Sequence, residues 1–176
     1  MSMSMDNAQI VDGCKRHNTK AQRALYDATS SLAMGICMRY ARNRADAEDM
    51  LQEGYIRVFE KIHMLKESES LQAWVARIMV NNCIQTLRNT HRIVLTDEDE
   101  ALGVSINYDP YALDDIVDAL QQLPPQQRMV FNMCEVEGYS YEETAQRLHC
   151  SQVNVRSLLS RAKQMLREQL SKIKNR

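Results

Sequence analysis

Two groupings of side chains in the sequence have types and spacings that could do chemistry. Glu60 and His63, in "GYIRVFEKIH", hold the Glu-x-x-His spacing with which helical di-iron proteins present two ligands from one helix face. Such a centre needs a second copy of the pair and further glutamates on neighbouring helices, and the chain has no second copy. It also lacks a Gly-rich phosphate loop, an H-E-x-x-H and a nucleophile elbow, so catalysis has no constellation and no cofactor or metal is expected. The five cysteines (Cys14, Cys37, Cys83, Cys134, Cys150) are odd in number and contain no C-x-x-C, which reads as buried or incidental free thiols. The second grouping lies in "SQVNVRSLLSRAKQMLRE", where Gln152, Val153, Arg156, Ser157, Ser160, Arg161 and Lys163 fall within twelve residues. Its chemistry is recognition. An arginine fork matches the guanine edge, a valine meets a thymine methyl, and a lysine neutralises phosphate.

Elements that would position this second grouping can be read around it. Val155, Leu158, Leu159, Ala162, Met165 and Leu166 recur at helical spacing and predict a buried face, leaving Gln152, Val153, Arg156, Ser157 and Ser160 opposite, with Arg161 and Lys163 on the flanks. Residues 144–176 carry eight basic side chains against one acidic, so the exposed face is strongly positive. Upstream, Ser140 and Glu143 make an S-x-x-E capping box for a helix that ends near Leu148. "HCS" then turns into a helix capped by Ser151, and a three-residue corner between two helices is the helix-turn-helix pattern. Before it come a short helix, a turn at Leu123-Pro124, and a helix that restarts at Pro125 and closes at Gly138.

Four further helices fit the first half, over about 6–16, 19–42, 45–64 and 70–90. In the third, Leu51, Tyr55, Val58, Phe59 and Ile62 form one apolar stripe, and Asp49, Glu53 and Glu60 lie about opposite with Ile56 among them. An aliphatic side chain set among carboxylates on an outer face reads as a docking surface; a solvated acidic stripe is the plain alternative. The fourth mixes Leu71, Trp74, Val75, Ile78 and Met79 with Arg77, Asn81, Asn82, Gln85, Arg88 and Arg92, a polar stripe suited to base edges and phosphates or simply to water.

Charge divides the chain. Residues 1–92 hold 13 basic against 10 acidic side chains, 93–118 none against 8, and 119–176 nine against five. Between Arg92 and Tyr111 no helical periodicity is sustained, so 93–112 reads as a flexible acidic linker between two small helical domains, 1–92 and 113–176. With 44% hydrophobic and 26% charged residues and only five Gly and three Pro, an all-α soluble fold is expected. No run approaches the roughly 18 apolar residues of a membrane span, and the start carries no signal-peptide core, which predicts a cytoplasmic protein without direct membrane insertion. The Met-Ser repeat at the start reads as a leader or an expression remnant.

Taken together, "DAEDMLQEGYIRVFEKI", "SESLQAWVARIMVNN", "LPPQQRMVFNMCEVEGYSYEETAQRL" and "VNVRSLLSRAK" resemble an RNA polymerase sigma factor of the extracytoplasmic-function (ECF) group, over about residues 7–170. The resemblance implies that Asp49, Gln52, Glu53 and Ile56 dock on the clamp helices of the largest subunit of core RNA polymerase. It implies that Arg57 and Asn81 meet the promoter -10 element, joined by Arg88, and that the loop from Met64 to Ser70, with Leu65 and Lys66, captures a flipped base of the melted strand. The second domain, through Gln152, Val153, Arg156, Ser157, Ser160, Arg161 and Lys163, would then read the -35 element. It further implies an acidic linker threading toward the RNA exit channel and an anti-sigma protein as partner. A free-standing helix-turn-helix regulator and a helical metal-dependent enzyme are the rival classes. Sensitivity of DNA binding to core polymerase separates the first, and elemental analysis the second.

Overall fold

The computed structural model describes residues 6–66, 70–90 and 113–174. The expected linker at 93–112 lies outside the described residues, as does the Met-Ser repeat at 1–5. Among the described residues every regular element is helical: α1 (Asn7–Lys15), α2 (Thr19–Tyr40), α3 (Arg44–Lys61) with a 3-10 turn Ile62–Met64, α4 (Leu71–Thr90), α5 (Leu113–Gln121), α6 (Pro125–Phe131) running into a π turn Asn132–Val136, α7 (Tyr141–Leu148) and α8 (Gln152–Lys174). The fold is all-α. It divides into two compact units, Met1–Gln85 and Thr86–Arg176, with the boundary inside α4.

In the first unit each early helix starts on a side-chain cap, because the first amides of a helix have no internal partner. Asp6 and Gln9 exchange bonds across a capping box at 2.8 and 3.1 Å. Asn18 accepts from the amides of Lys20 and Ala21, and Asn43 from that of Asp46. α1 packs on α2 and α2 on α3. Two glycines allow close approach: a Cβ on Gly13 would lie 2.4 Å from that of Ala21, and one on Gly54 would lie 2.3 Å from Met79 Sδ. Gly54 therefore sets α3 directly against α4.

The core formed there includes Leu25, Ala33, Ile36, Cys37, Tyr40, Met50, Tyr55, Val58, Trp74, Val75, Met79 and Cys83. Thr29 and Tyr55 pair within it, as burial in a low dielectric favours. The Tyr55 hydroxyl lies 2.8 Å from Thr29 Oγ1, which donates back to the Leu25 carbonyl, and burial pushes the Tyr55 phenol above its ordinary pKa.

α8 is the centre of the second unit, packed by α5, α6 and α7. Pro125 opens α6 at its first position, where a missing amide costs nothing. Arg128 is buried on α6 and donates from Nη1 to the Gln121 carbonyl at 3.0 Å, closing the end of α5. The helix from Pro125 does not run unbroken to Gly138, as the spacing predicts; it widens into the π turn, and Gly138 (φ 76°) then reverses the chain. At the second corner His149 holds φ 54°, and the Cys150 amide bonds back to the Ala145 carbonyl at 3.0 Å. Ser140 with Glu143 caps α7, and Ser151 Oγ accepts from the Asn154 amide at 3.1 Å at the start of α8.

Candidate nucleic-acid interface

The basic grouping sits at the start of α8, immediately after the left-handed corner. Gln152, Val153 and Arg156 are exposed, and Val153, at 63%, is among the most exposed large apolar side chains described. Ser160 and Arg161 are half-buried. Ser157, expected on the same outer face, is 4% exposed and belongs to the core. The reason is width. Because three elements pack on α8, its buried set of Asn154, Val155, Ser157, Leu158, Leu159, Ala162 and Leu166 spans roughly 200° at about 100° per residue, and Ser157 closes one edge.

Lys163 also departs from expectation. Its ammonium lies 2.8 Å from Glu135 Oε1 in the π turn, with the two side chains only 16% and 29% exposed. A lysine expected to be open to phosphate is instead pinned within the fold, because the π turn brings a carboxylate onto its flank of α8. Beside it, burial pushes the Cys134 thiol above its ordinary pKa, against a bond to Thr144 at 3.5 Å. Two arginines of this unit lie over tyrosine rings: Arg147 over Tyr139 at 4.5 Å and Arg156 over Tyr141 at 5.7 Å from the ring centroid. Nothing in the spacing of apolar residues signalled these pairs, since both rings flank the cap rather than extend a stripe.

On α3, Asp49, Gln52, Glu53, Ile56 and Glu60 are all exposed, Ile56 at 59%. The buried face is Ala47, Met50, Gly54, Tyr55 and Val58, continuing into Ile62; Leu51 and Phe59, expected within it, are half-buried at its margin. Gly54 lies directly against Met79 and Asn82 of α4. Glu60 and His63 are both exposed, and among the described residues no group of three or more His, Cys, Asp or Glu is placed to hold a metal.

α4 separates two neighbours of one type. Asn81 is exposed, whereas Asn82 is fully buried and donates from Nδ2 to the Met50 carbonyl at 2.9 Å. Asn82 thus leaves the polar stripe for the core, a placement its i, i+4, i+7 spacing from Val75 and Met79 could have signalled. Arg77 is exposed and Arg88 and Arg57 are half-buried. Leu65, expected in the base-capturing loop, is 5% exposed, its amide bonded back to the Ile62 carbonyl of the 3-10 turn, while Lys66 is exposed. The rest of that loop, 67–69, lies outside the described residues. An open groove of about 680 Å³ is lined by Leu65, Lys66, Ser70 and Leu71 and by Asn7, Val11, Asp12 and Lys15 of α1.

Comparison with known proteins also divides the chain in two. Residues 25–93 match the family described as Sigma-70 region 2, and residues 113–166 that described as Sigma-70, region 4. A probable RNA polymerase sigma factor of Haemophilus influenzae is 30% identical over 155 residues, covering 74% of this chain and 80% of that protein.

The chain belongs to the ECF RNA polymerase sigma factors.

The ECF RNA polymerase sigma factor SigE of Mycolicibacterium smegmatis is 32% identical over 146 residues, 78% of this chain; the match spans 56% of that longer protein. In fold, the sigma factor resembles RpoE from Bartonella quintana, solved in complex with the anti-sigma factor NepR, with a TM-score of 0.51 and 23% identity over 80% of this chain and 91% of that one. A sigma factor is a transcription-initiation subunit and not an enzyme: it binds core RNA polymerase and promoter DNA. In this one, region 2 takes in most of α2 with α3 and α4, and region 4 takes in α5 to α7 and most of α8. α1, which walls the groove, precedes the matched part. No helix among the described residues is long and apolar enough to cross a membrane.

Proposed function

We propose that this sigma factor divides initiation between its two units as follows. Asp49, Gln52, Glu53 and Ile56 form the surface that docks on the clamp helices of the largest polymerase subunit. Arg57, Lys66, Asn81 and Arg88 meet the -10 element, and an unstacked base enters the groove lined by α1 with Leu65, Lys66, Ser70 and Leu71, where pocket shape would select it. Gln152, Val153 and Arg156 read base edges of the -35 element, with Ser160 and Arg161 beside them. Ser157 and Lys163 act from within the fold by holding α8. The protein works in the cytoplasm. An anti-sigma protein controls it, a reading supported by the anti-sigma complex of the Bartonella quintana relative.

The observation that carries this reading is the exposed set Gln152, Val153 and Arg156 directly behind the helix-turn-helix corner, in the half of the second helix that reaches base edges in such domains. Sequencing the transcripts made by core polymerase plus this protein tests it. The start sites should share paired -35 and -10 elements, and their production should stop when α8 is replaced at Arg156 and Val153 together. Transcripts with unrelated upstream sequences, or tight promoter binding by the chain without core polymerase, would overturn it.

A further inference from the structure

Arg156 is the side chain in this interface with the most to gain from being held in place. A free arginine samples many rotamers, and fixing it on a base edge costs entropy that a pre-set geometry reduces. The guanidinium of Arg156 lies over the ring of Tyr141, 5.7 Å from its centroid, within the range where a ring face attracts a cation. Tyr141 is the first residue of α7 and follows the cap residue Ser140. The capping box fixes that point of the backbone twice, through the Glu143 amide to Ser140 Oγ at 3.1 Å and the Ser140 amide to Glu143 Oε2 at 2.8 Å. The ring therefore stands on a fixed base, and its partner helix starts on the far side of the same corner. A guanidinium carries five N–H donors, so those turned away from the ring remain available to pair with guanine. Tyr139 and Arg147 repeat the arrangement on the other side of Ser140, at 4.5 Å.

We propose that Tyr141 is a positioning residue that pre-sets Arg156 for reading one base of the -35 element. The role rests on the reading of α8 given above, and it needs the aromatic face and not the hydroxyl. The test uses holoenzyme assembled from core polymerase and the full chain, competed against promoters carrying every base at each -35 position. Arg156→Ala identifies the position it reads. Tyr141→Leu should then lose about twofold to fivefold of the discrimination at that position and none elsewhere, the size of an exposed cation–ring contact. Tyr141→Phe should keep it, and Tyr141→Leu should have no effect in the Arg156→Ala background, with all variants melting close to the parent. If Tyr141→Leu weakens every promoter alike, or acts equally without Arg156, the ring touches DNA itself and the positioning role is overturned. If Arg156→Ala relaxes one position and Tyr141→Leu leaves it intact, the positioning role alone is overturned. If Arg156→Ala changes no preference, the base-reading role of α8 is overturned with it.

Discussion

α3 and α8 each present an outer stripe, but they are built in opposite ways. On α3 the stripe is continuous: Ala45, Asp49, Gln52, Glu53, Ile56 and Glu60 are all exposed. On α8 it is interrupted. Gln152, Val153 and Arg156 are exposed, Ser160, Arg161 and Lys163 sink to half-burial, and Gln164, Arg167 and Glu168 emerge again. The interruption falls where the π turn delivers Glu135 to Lys163. On the roles proposed above, a protein partner would use a long stripe lying along a helix, whereas a groove in DNA admits the start of a helix, so the second stripe would need only its first turns open. The rest of α8 is free to serve as the core of its own unit.

The largest effect that bears on this contrast is expected at α3. Reversing both charges, Asp49→Lys with Glu53→Lys, should weaken core-polymerase binding by about two orders of magnitude or more, because like charges brought together at an interface cost several kcal/mol. The fold should shift by no more than about 0.5 kcal/mol, as surface changes do. Competition for core polymerase with circular dichroism on the same sample checks both, and unchanged competition would remove α3 from the docking surface.

The adjacent asparagines of α4 give the next test. Asn82→Ala should destabilise the first unit by about 1–3 kcal/mol, since it removes a buried bond to the Met50 carbonyl. Asn81→Ala should leave the melt unchanged and reduce open-complex formation, read by permanganate reactivity of the -10 strand. Equal melts for the two variants would break the assignment of one to the core and the other to DNA.

Lys163 sharpens the account of α8. For a half-buried pair, Lys163→Met should cost about 1–2 kcal/mol, and Glu135→Gln in the same chain should restore part of that, because the lone carboxylate is then neutralised. The salt slope of promoter binding should stay near that of the parent. A slope lowered in magnitude by about one unit, with an unchanged melt, would return Lys163 to the phosphates.

The smallest effect is a titration. The Ser140 amide and hydroxyl hold the Glu143 carboxyl below the usual carboxylate range. A carboxylate depressed in the folded state contributes stability that is present at neutral pH and lost as pH falls through its folded value. The melting difference between the parent and Glu143→Gln should therefore be constant at neutral pH and shrink below about pH 4. A difference that persisted into strong acid would show that the ionised carboxylate is not what holds the cap.

Helix existence, both corners of the helix-turn-helix and the caps at Ser140 and Ser151 were legible in the sequence, because each has a local signal: a period, a capping residue, a turn. Burial at the margins of a stripe was not. Ser157, Leu65, Leu51 and Phe59 are decided by how many neighbouring elements pack around them and on which flank. Asn82 was legible in principle from its spacing, but its polar type argued the other way. Glu135 with Lys163, and the rings under Arg147 and Arg156, join residues on different elements, and a periodic pattern along one element carries no information about them.

Gly54 has a consequence for how the first unit performs as a machine part. With Met79 and Asn82 seated against it, α3 cannot slide or roll over α4 without a steric clash or loss of the Asn82 bond. The outer stripe of α3 and the polar side of α4 are thus two faces of one stiff plate, held at a constant spacing by atoms that belong to neither face. Asn81 is thereby carried at a fixed offset from Ile56, so on the roles proposed above the place where strands part would be measured from the place where the polymerase holds on.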